Sequence, residues 1–386
     1  MFKFPAYLAF LAVTVLTACG GSQQSAMPTS AGSSAFGDNA AVVNGYQLLY
    51  SFTQNSGLHP IGRLISVNGV LYGTTSLGGP NRYGNVFSVT TAGIEKTVYT
   101  FKSGRDGFYP FAGLIDVNGT FYGTTYEGGT SHRGTVFSVT PAGVEKVIYS
   151  FKGGTDGEAP NTALIDVNGV LYGATLSGGT AGVGTVFSVT PAGVENVIYT
   201  FKGGTDGANP HAALIDVNGT LYGTTLYGGT ANEGTVFSVT PSGVEQVLHT
   251  FGNPGDGVDP TAGLIDVNGI LYGATEGGGT NDAGTVFTIT PQGAETVLHN
   301  FKGTWDGRSP GDPLIYVSGT LYGNAGSGTS HGGIVFSMST SGVEKVLHRF
   351  SNAYAGGSLL YVNGTLYGTT TGGGQDGRGS IFTLQP

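Results

Sequence analysis

The sequence predicts an all-β fold, a seven-bladed β-propeller of four-stranded antiparallel blades. Glycine accounts for 71 of the 386 residues and charged residues for only 10%, a composition typical of short strands joined by tight turns. A unit of about 50 residues recurs seven times, and each copy has room for four strands. The last copy lacks its fourth strand, and a matching strand precedes the first copy, which predicts a closed ring.

The repeat is marked by a phenylalanine that recurs at a spacing of 49 or 50 residues. These positions are Phe52, Phe101, Phe151, Phe201, Phe251, Phe301 and Phe350. Repeats of this length are typical of propeller blades rather than of small helical repeats.

One copy, residues 151–200, illustrates the predicted blade. Its strands are predicted at Leu164–Val167, Val170–Thr175, Thr185–Thr190 and Glu195–Phe201. Asn168-Gly169 separates the first two strands and is the residue pair that favours a two-residue hairpin turn. Pro191-Ala192-Gly193 forms the turn before the fourth strand, since proline presets φ and glycine closes the turn. Two hairpin turns in each copy argue against a parallel β-helix.

The third strand indicates how the sheets pack. Val186, Phe187 and Val189 place apolar side chains on both of its faces, as expected for a sheet lying between two similar sheets. The last copy ends after its third strand, Ile381–Leu384, whereas Tyr46–Phe52 aligns with the fourth strand of the other copies. We therefore expect the N-terminal strand to complete the last blade.

The N-terminus predicts export and a lipid anchor. Residues 4–18 are almost all apolar, a run too short for a spanning helix but of the length of a signal-peptide core. The run ends in Leu16-Thr17-Ala18-Cys19-Gly20, which resembles the lipobox of bacterial lipoproteins. We expect residues 1–18 to be the signal peptide, Cys19 to be lipidated, residues 19–44 to be a flexible Gly/Ser/Ala-rich tether, and residues 45–386 to be the propeller. The alternative is an ordinary cleaved signal with an incidental cysteine.

The repeat itself resembles a known family. Its consensus, NG-x-LYGTT followed by GTVFSVTP-x-G-VE, is similar to the GloVer tandem-repeat family of bacterial exported proteins, with a kelch-like repeat length. The resemblance covers residues 45–386. It implies an exported propeller in the cell envelope, at the outer membrane or the cell surface, and it implies no catalytic residues.

Acidic and histidine residues give no recognisable catalytic or metal motif. Asp106, Asp156, Asp206, Asp256 and Asp306 each precede a glycine in the loop between blades, where a carboxylate can fix the turn. A calcium site is the alternative role for these aspartates, but each loop offers one carboxylate and calcium needs several oxygens. Glutamates such as Glu195 begin the outer strands and are expected to protect that edge from aggregation. The sequence therefore predicts no metal site, no cofactor and no enzyme activity.

The residues that vary between copies lie in two sets of loops, which join the second and third strands and consecutive blades. In an up-and-down blade both sets emerge on one face, which is where we expect binding. The candidate ligand-binding residues are Tyr83, Phe108, Tyr109, Tyr126, Tyr227, Trp305 and Arg308.

These observations predict a monomeric, membrane-anchored binding module for a glycan or a protein. The net charge of −9 disfavours a nucleic-acid partner. Two alternatives remain open at this stage. One is a propeller enzyme, either a polysaccharide hydrolase or lyase or a quinoprotein-like oxidoreductase. The other is a structural surface protein.

Overall fold

The computed structural model describes residues 45–326 and 332–386, which form seven antiparallel blades. The predicted signal peptide, Cys19 and the tether lie outside the described residues. Within the described part no helix is long and apolar enough to cross a membrane. The two helices found there are single 3₁₀ turns, Gly104–Asp106 and Gly204–Asp206.

The strands are numbered in chain order. The N-terminal strand is β1 (Tyr46–Ser51). Blade 1 contains β2 (Ile65–Val67), β3 (Val70–Thr75), β4 (Asn85–Thr90) and β5 (Glu95–Thr100). Blade 2 contains β6 (Ile115–Val117), β7 (Thr120–Thr125), β8 (Thr135–Val139) and β9 (Glu145–Ser150). Blade 3 contains β10 (Ile165–Val167), β11 (Val170–Thr175), β12 (Thr185–Val189) and β13 (Glu195–Thr200).

The remaining blades repeat this order. A short loop strand, β14 (Ala208–Pro210), precedes blade 4, which contains β15 (Ile215–Val217), β16 (Thr220–Tyr227), β17 (Thr235–Val239) and β18 (Glu245–Thr250). Blade 5 contains β20 (Ile265–Val267), β21 (Ile270–Thr275), β23 (Thr285–Ile289) and β24 (Glu295–Asn300), with two short loop strands, β19 (Gly257–Val258) and β22 (Gly277–Gly278). Blade 6 contains β25 (Ile315–Val317), β26 (Thr320–Gly326), β27 (Gly333–Ser339) and β28 (Glu344–Arg349). Blade 7 contains β29 (Ala355–Val362), β30 (Thr365–Thr370) and β31 (Ser380–Leu384).

The closure predicted from the sequence is confirmed. Strand β1 pairs antiparallel with β31, with Tyr46 opposite Leu384 and Ser51 opposite Ser380, and it is the outermost strand of blade 7. The pairing, with one register shift between Leu48 and Tyr50, covers the edge of β31 and so removes an open sheet edge at this point.

Pairs of phenylalanines join the blades. The phenylalanine that follows each outer strand meets, edge on, the phenylalanine in the third strand of the next blade, with ring centroids 5.0–5.5 Å apart. Phe52 makes this contact with Phe87, so the N-terminal segment packs as the other outer strands do. Both rings of this pair are buried, as expected for the main apolar contact between neighbouring sheets.

Each outer strand carries a one-residue bulge. In blade 3 the register shifts where Val186 and Phe187 meet β13, which leaves Ile198 without a direct partner. The carbonyl of the bulged residue then faces the turn of the next blade, and a side chain at Gly243 would lie 2.7 Å from the Ile198 oxygen. Glycine is required there both for this approach and for its φ of +86°.

Candidate functional site

The two sets of variable loops lie on one face of the propeller, as predicted, and we call it the loop face. Within blade 2, Phe108 of the interblade loop pairs with Glu127, which follows the second strand. Between blades, the Tyr109 N–H donates to the Tyr83 carbonyl at 3.1 Å. The same bond recurs across the ring closure, where the His59 N–H donates to the Arg378 carbonyl at 3.2 Å.

Five aromatic side chains form a continuous cluster on this face, between blades 1 and 2. The aromatic cluster consists of Tyr83, Phe108, Tyr109, Phe111 and Tyr126. Ring centroids are 5.4 Å apart for Tyr83 and Phe108, 4.8 Å for Phe108 and Tyr109, 6.2 Å for Tyr109 and Phe111, and 5.2 Å for Phe111 and Tyr126. All five are half-buried, so part of each ring stays accessible to a ligand.

The repeat does not need aromatic residues at these positions. We call the interface between two neighbouring blades a seam. In the seam between blades 2 and 3, Arg133 and Glu158 occupy the places of Tyr83 and Phe108 and form an ion pair at 2.7 Å. The place of Tyr109 is taken by Ala159 there and by Asn209, Asp259 and Ser309 in the following copies, whereas His59 and Tyr354 occupy it in the first and last copies. The same blades therefore pack with alanine or charged side chains, and the cluster is a local addition.

Tyr109 also has an unusual backbone conformation. Its φ is +59°, a region that asparagine and aspartate enter more readily than a bulky aromatic residue. The loop imposes this conformation, because Ala159 has a φ of +56° and Asn209 of +56° at the same place. A tyrosine here carries a local conformational cost of order 1 kcal/mol, and such costs occur often at functional sites.

The other predicted residues lie apart from the aromatic cluster. Tyr227 ends strand β16 and pairs with Ala208 in the loop between blades 3 and 4. Arg308 is exposed in the loop between blades 5 and 6, where its N–H donates to the Gly326 carbonyl at 2.7 Å. Trp305 lies in the same loop but at the perimeter, against Arg349 of the outermost strand of blade 6. The Arg349 guanidinium lies 5.5 Å from the Trp305 ring centroid. Trp305 is 73% exposed to solvent, more than any other large apolar residue that the structure describes.

A second group of residues, which the sequence did not single out, lies where the inner strands begin at the loop face. The inner strands of neighbouring blades contact one another around the centre, and Gly357 of blade 7 lies against Ile61 and Gly62 ahead of blade 1. One residue occupies the same aligned position ahead of the inner strand in blades 1 to 6, and its counterpart in blade 7 lies in β29. We call these seven residues the channel mouth: Ile61, Phe111, Asn161, His211, Thr261, Gly311 and Gly356. The mouth is thus apolar beside blades 1 and 2 and polar beside blades 3 to 5.

Two carboxyl groups meet beside the polar side of the channel mouth. The Thr261 hydroxyl donates a hydrogen bond to Glu276 Oε1 at 2.7 Å. A side chain at Gly311 would crowd this oxygen, because its Cβ would lie only 2.8 Å away. Burial and then the charge of nearby Glu276 raise the pKa of Asp312 to about 7, although the Gly357 backbone and the Asn324 amide favour its ionised form. Burial, followed by the charge of Asp259, likewise raises the pKa of Glu276.

Neighbouring polar groups at the mouth are also desolvated. Burial lowers the pKa of His211, which keeps its imidazole neutral near pH 7. The Asn161 Oδ1 atom is buried and has no hydrogen-bond partner among residues 45–326 and 332–386. Carboxyls with raised pKa values, a neutral imidazole and an unused amide oxygen are the groups that bind and polarise polar ligands.

The sequence could not pair Glu276 with Asp312 because they come from different copies. Asp312 and Asn324 stand out as departures of the sixth copy, but no acid or base partner for them is visible within that copy. Aligning the residue after the recurring proline in all copies would have revealed Phe111, Asn161, His211 and Thr261 as one ring. Their convergence with Glu276 required the structure.

The blades, the ring closure and the loop face define a repeat-built β-propeller whose variable loops share one face. The Gloeobacter/Verrucomicrobia repeat family matches residues 39–237 and 218–386, and the chain belongs to this family. The family resemblance inferred from the consensus is thereby confirmed. No curated protein matches the chain in sequence.

Solved structures with a similar fold include natural and designed proteins. A puromycin-hydrolysing peptidase from Mycobacterium tuberculosis is 11% identical, with a TM-score of 0.55, and the match covers 86% of this chain and 52% of the peptidase. The chain thus spans about half of that enzyme's length. The computationally designed protein Ika8 is 12% identical over 88% of this chain and 100% of its own, with a TM-score of 0.49. A putative 6-phosphogluconolactonase from Bacteroides uniformis is 14% identical over 75% of this chain and 84% of its own, with a TM-score of 0.48.

The prediction that the chain is not an enzyme is contradicted by these comparisons. A propeller of this kind occurs in a peptidase, so the lack of a short catalytic motif does not exclude catalysis. At 11% identity the likeness establishes the fold alone. The physical reason for the wrong prediction is that propeller sites assemble from residues of different blades, which no motif in one copy reveals.

Proposed function

We propose that the protein is a binding module that recognises a neutral glycan through the aromatic cluster of its loop face. The observation that carries the proposal is the run of five half-exposed rings at one seam, since no other copy brings together aromatic residues at all of these positions. Aromatic rings stack on the apolar faces of sugars. Burial raises the pKa of the Tyr109 and Tyr126 phenols, which therefore remain neutral hydrogen-bond donors at physiological pH.

The net charge and the channel mouth support a neutral rather than an anionic ligand. The chain carries a formal charge of −9, and Glu276 and Asp312 lie beside the mouth that Phe111 borders. Carboxyl groups accept hydrogen bonds from sugar hydroxyls, whereas they repel a polyanion. A protein partner with an extended apolar or basic segment is the alternative occupant of the same face.

The chain itself supplies variants for a binding test. Tyr109→Ala places alanine where Ala159 has the same backbone conformation, and Phe108→Ala reproduces Ala208. On a glycan array followed by titration calorimetry, each variant should weaken binding about tenfold, which corresponds to about 1.4 kcal/mol for one lost ring contact. Trp305→Ala is the matched control, since Trp305 lies at the perimeter, and it should bind normally. Equal loss in all three variants, or no glycan binding at all, contradicts the proposal.

A second candidate function is catalysis at the channel mouth. Glu276 and Asp312 are two interacting carboxyls, and burial raises the pKa of both, that of Asp312 to about 7, so that Asp312 can hold or release a proton near neutral pH. General acid–base catalysis of glycoside cleavage uses such a pair. Turnover of a panel of neutral polysaccharides that is lost in Glu276→Gln and Asp312→Asn, but retained with weaker substrate binding in Tyr109→Ala, would favour this function.

We further propose that the protein is exported and held in the cell envelope by a lipid on Cys19. The hydrophobic run and the Leu-Thr-Ala-Cys-Gly sequence support this. Cys19→Ser should move the protein from the membrane to the soluble fraction. Membrane fractionation of the variant unchanged from the natural chain would refute the anchor. A protein that is anchored but binds neither glycan nor protein would instead be a structural surface protein.

A further inference from the structure

A recurring polar triad fills the perimeter seams between blades. In three seams a tyrosine from one outer strand donates to the loop aspartate: Tyr99 to Asp106 at 2.5 Å, Tyr149 to Asp156 at 3.0 Å and Tyr199 to Asp206 at 2.5 Å. The glutamate that begins the next outer strand joins them, as Glu245 does at 3.3 Å from the Tyr199 hydroxyl. Each of these loops carries one carboxylate of its own, and the fold brings a second from the next blade.

In these three seams a lysine accompanies the two carboxyl groups. Lys102, Lys152 and Lys202 lie over the rings of Tyr99, Tyr149 and Tyr199, 5.4–5.5 Å from the ring centroids. The lysine charge offsets part of the repulsion between the aspartate and the glutamate. The phenol supplies a hydrogen-bond donor but is a poor metal ligand while protonated.

The seam between blades 4 and 5 differs at both positions. His249 replaces the tyrosine, and Gly252 replaces the lysine. The His249 Nε2 atom lies 3.0 Å from Asp256 Oδ2, and one ligand atom from each of His249, Asp256 and Glu295 lies within 4.8 Å of the others. The Asp256 side chain is only 7% exposed. Glu295 Oε1 is buried and, in the described part of the chain, has no hydrogen-bond partner, a property that it shares with the matching glutamates of other seams, Glu145, Glu195, Glu245 and Glu344.

We propose that His249, Asp256 and Glu295 form a site for a first-row divalent transition metal of the Zn²⁺ class. One imidazole nitrogen and two carboxylates suit zinc, whereas calcium and magnesium prefer oxygen ligands throughout. Three protein ligands leave a fourth position for water. Ligand atoms around tetrahedral zinc are about 3.3 Å apart, so small side-chain rotations close the site. The ligands come from β18, the following loop and β24, so the metal would join two blades.

The seam between blades 5 and 6 is a control within the same chain. It contains His299, Asp306 and Glu344, but His299 Nε2 and Asp306 Oδ2 are 3.6 Å apart. Burial, followed by the charge of Asp306, raises the pKa of Glu344 to about 7, and the positive charges of Arg349 and Lys302 offset only part of this rise. The two cationic side chains would repel a metal ion and the His–Asp distance is longer there, so we expect zinc to prefer the seam of His249.

The test is calorimetric titration of the metal-free protein with Zn²⁺, in a Cys19→Ser background so that the thiol does not contribute. One Zn²⁺ per chain should bind, and His249→Tyr, which reproduces the residue at Tyr199, should weaken binding at least ~100-fold. Glu295→Gln should weaken it as well, whereas His299→Tyr should not. Co²⁺ bound at the site should show the intense visible absorption of a tetrahedral ion, absent in His249→Tyr.

Thermal melts in metal-free buffer should show that both tyrosine variants fold. Zn²⁺ at 100 times its dissociation constant should stabilise the natural chain and His299→Tyr, but not His249→Tyr. Absence of Zn²⁺ binding, binding that survives His249→Tyr, or equal dependence on His299 would overturn the proposal. None of these outcomes depends on the glycan-binding proposal, because the seam lies at the perimeter.

Discussion

Replacing Asp312 with asparagine should make the protein more stable at pH 8 and leave its stability almost unchanged at pH 4. In the folded chain, burial and the neighbouring Glu276 disfavour the ionised carboxylate of Asp312 and raise its pKa from 3.8 to about 7. In the unfolded chain the carboxyl is in water and ionises near its usual pKa. Folding therefore binds a proton between these two pH values.

The sign and size of the effect follow from this difference. The folded state holds more protons than the unfolded state between about pH 4 and pH 7, so this carboxyl lowers the free energy of unfolding as pH rises through that range. Above pH 7 the loss is complete. At about 1.4 kcal/mol for each pKa unit, the upper limit is about 4 kcal/mol, and solvent reaching the channel mouth will reduce it.

Asparagine is a suitable replacement because it is nearly isosteric and neutral at every pH. Its side-chain oxygen can still accept the hydrogen bond from the Gly357 backbone. Urea unfolding of the purified protein at pH 4 and pH 8 measures the change in free energy. Asp166→Asn, on an exposed inner-strand position, is the matched control and should have little effect at either pH. A gain from Asp312→Asn that is the same at both pH values, or absent at pH 8, would refute the electrostatic account.

Three further predictions concern the scaffold. Gly173→Ala should cost about 1–3 kcal/mol in urea unfolding, because the new Cβ would lie 2.8 Å from Phe187 and 2.9 Å from Leu164; a neutral result would mean that these side chains move freely. Deleting residues 45–51 should expose the edge of β31 and yield oligomers on size-exclusion chromatography, and a stable monomer would argue against the need for closure. Burial, followed by the charge of Asp156, raises the pKa of Glu195 to about 7, so Glu195→Gln should stabilise by about 1 kcal/mol at pH 8 and not at pH 4; stabilisation at pH 4 would contradict this.

The repeat pattern was sufficient to predict the blades because their determinants are local. Asn-Gly turns, alternating apolar residues and the Pro-x-Gly turn lie within one copy, and the predicted strands agree with β10 to β13 to within one residue at each end. Leu164 and Phe201 were included in strands because they are apolar. Both are buried in the core but lie just beyond β10 and β13, since burial rather than ladder pairing sets the apolar pattern.

The candidate sites could be predicted only in part. The variable loops and four aromatic residues, Tyr83, Phe108, Tyr109 and Tyr126, were visible because they break the repeat. The sequence did not predict that Phe111 joins Tyr109 and Tyr126 into one cluster, because this contact depends on how consecutive loops cross the seam. Trp305 was grouped with them by residue type, but the loop carries it outward to Arg349 at the perimeter.

The sequence alone determined the blade, the number of copies and the exchange of the N-terminal strand, because turns and strand periodicity act over a few residues. The tertiary structure decided which side chains meet across blades. Glu276 acts on Asp312, and His249 lies near Glu295, only because the ring places residues 36 and 46 positions apart beside each other in neighbouring blades. Such distances are set by the packing of whole blades, and no local pattern encodes them.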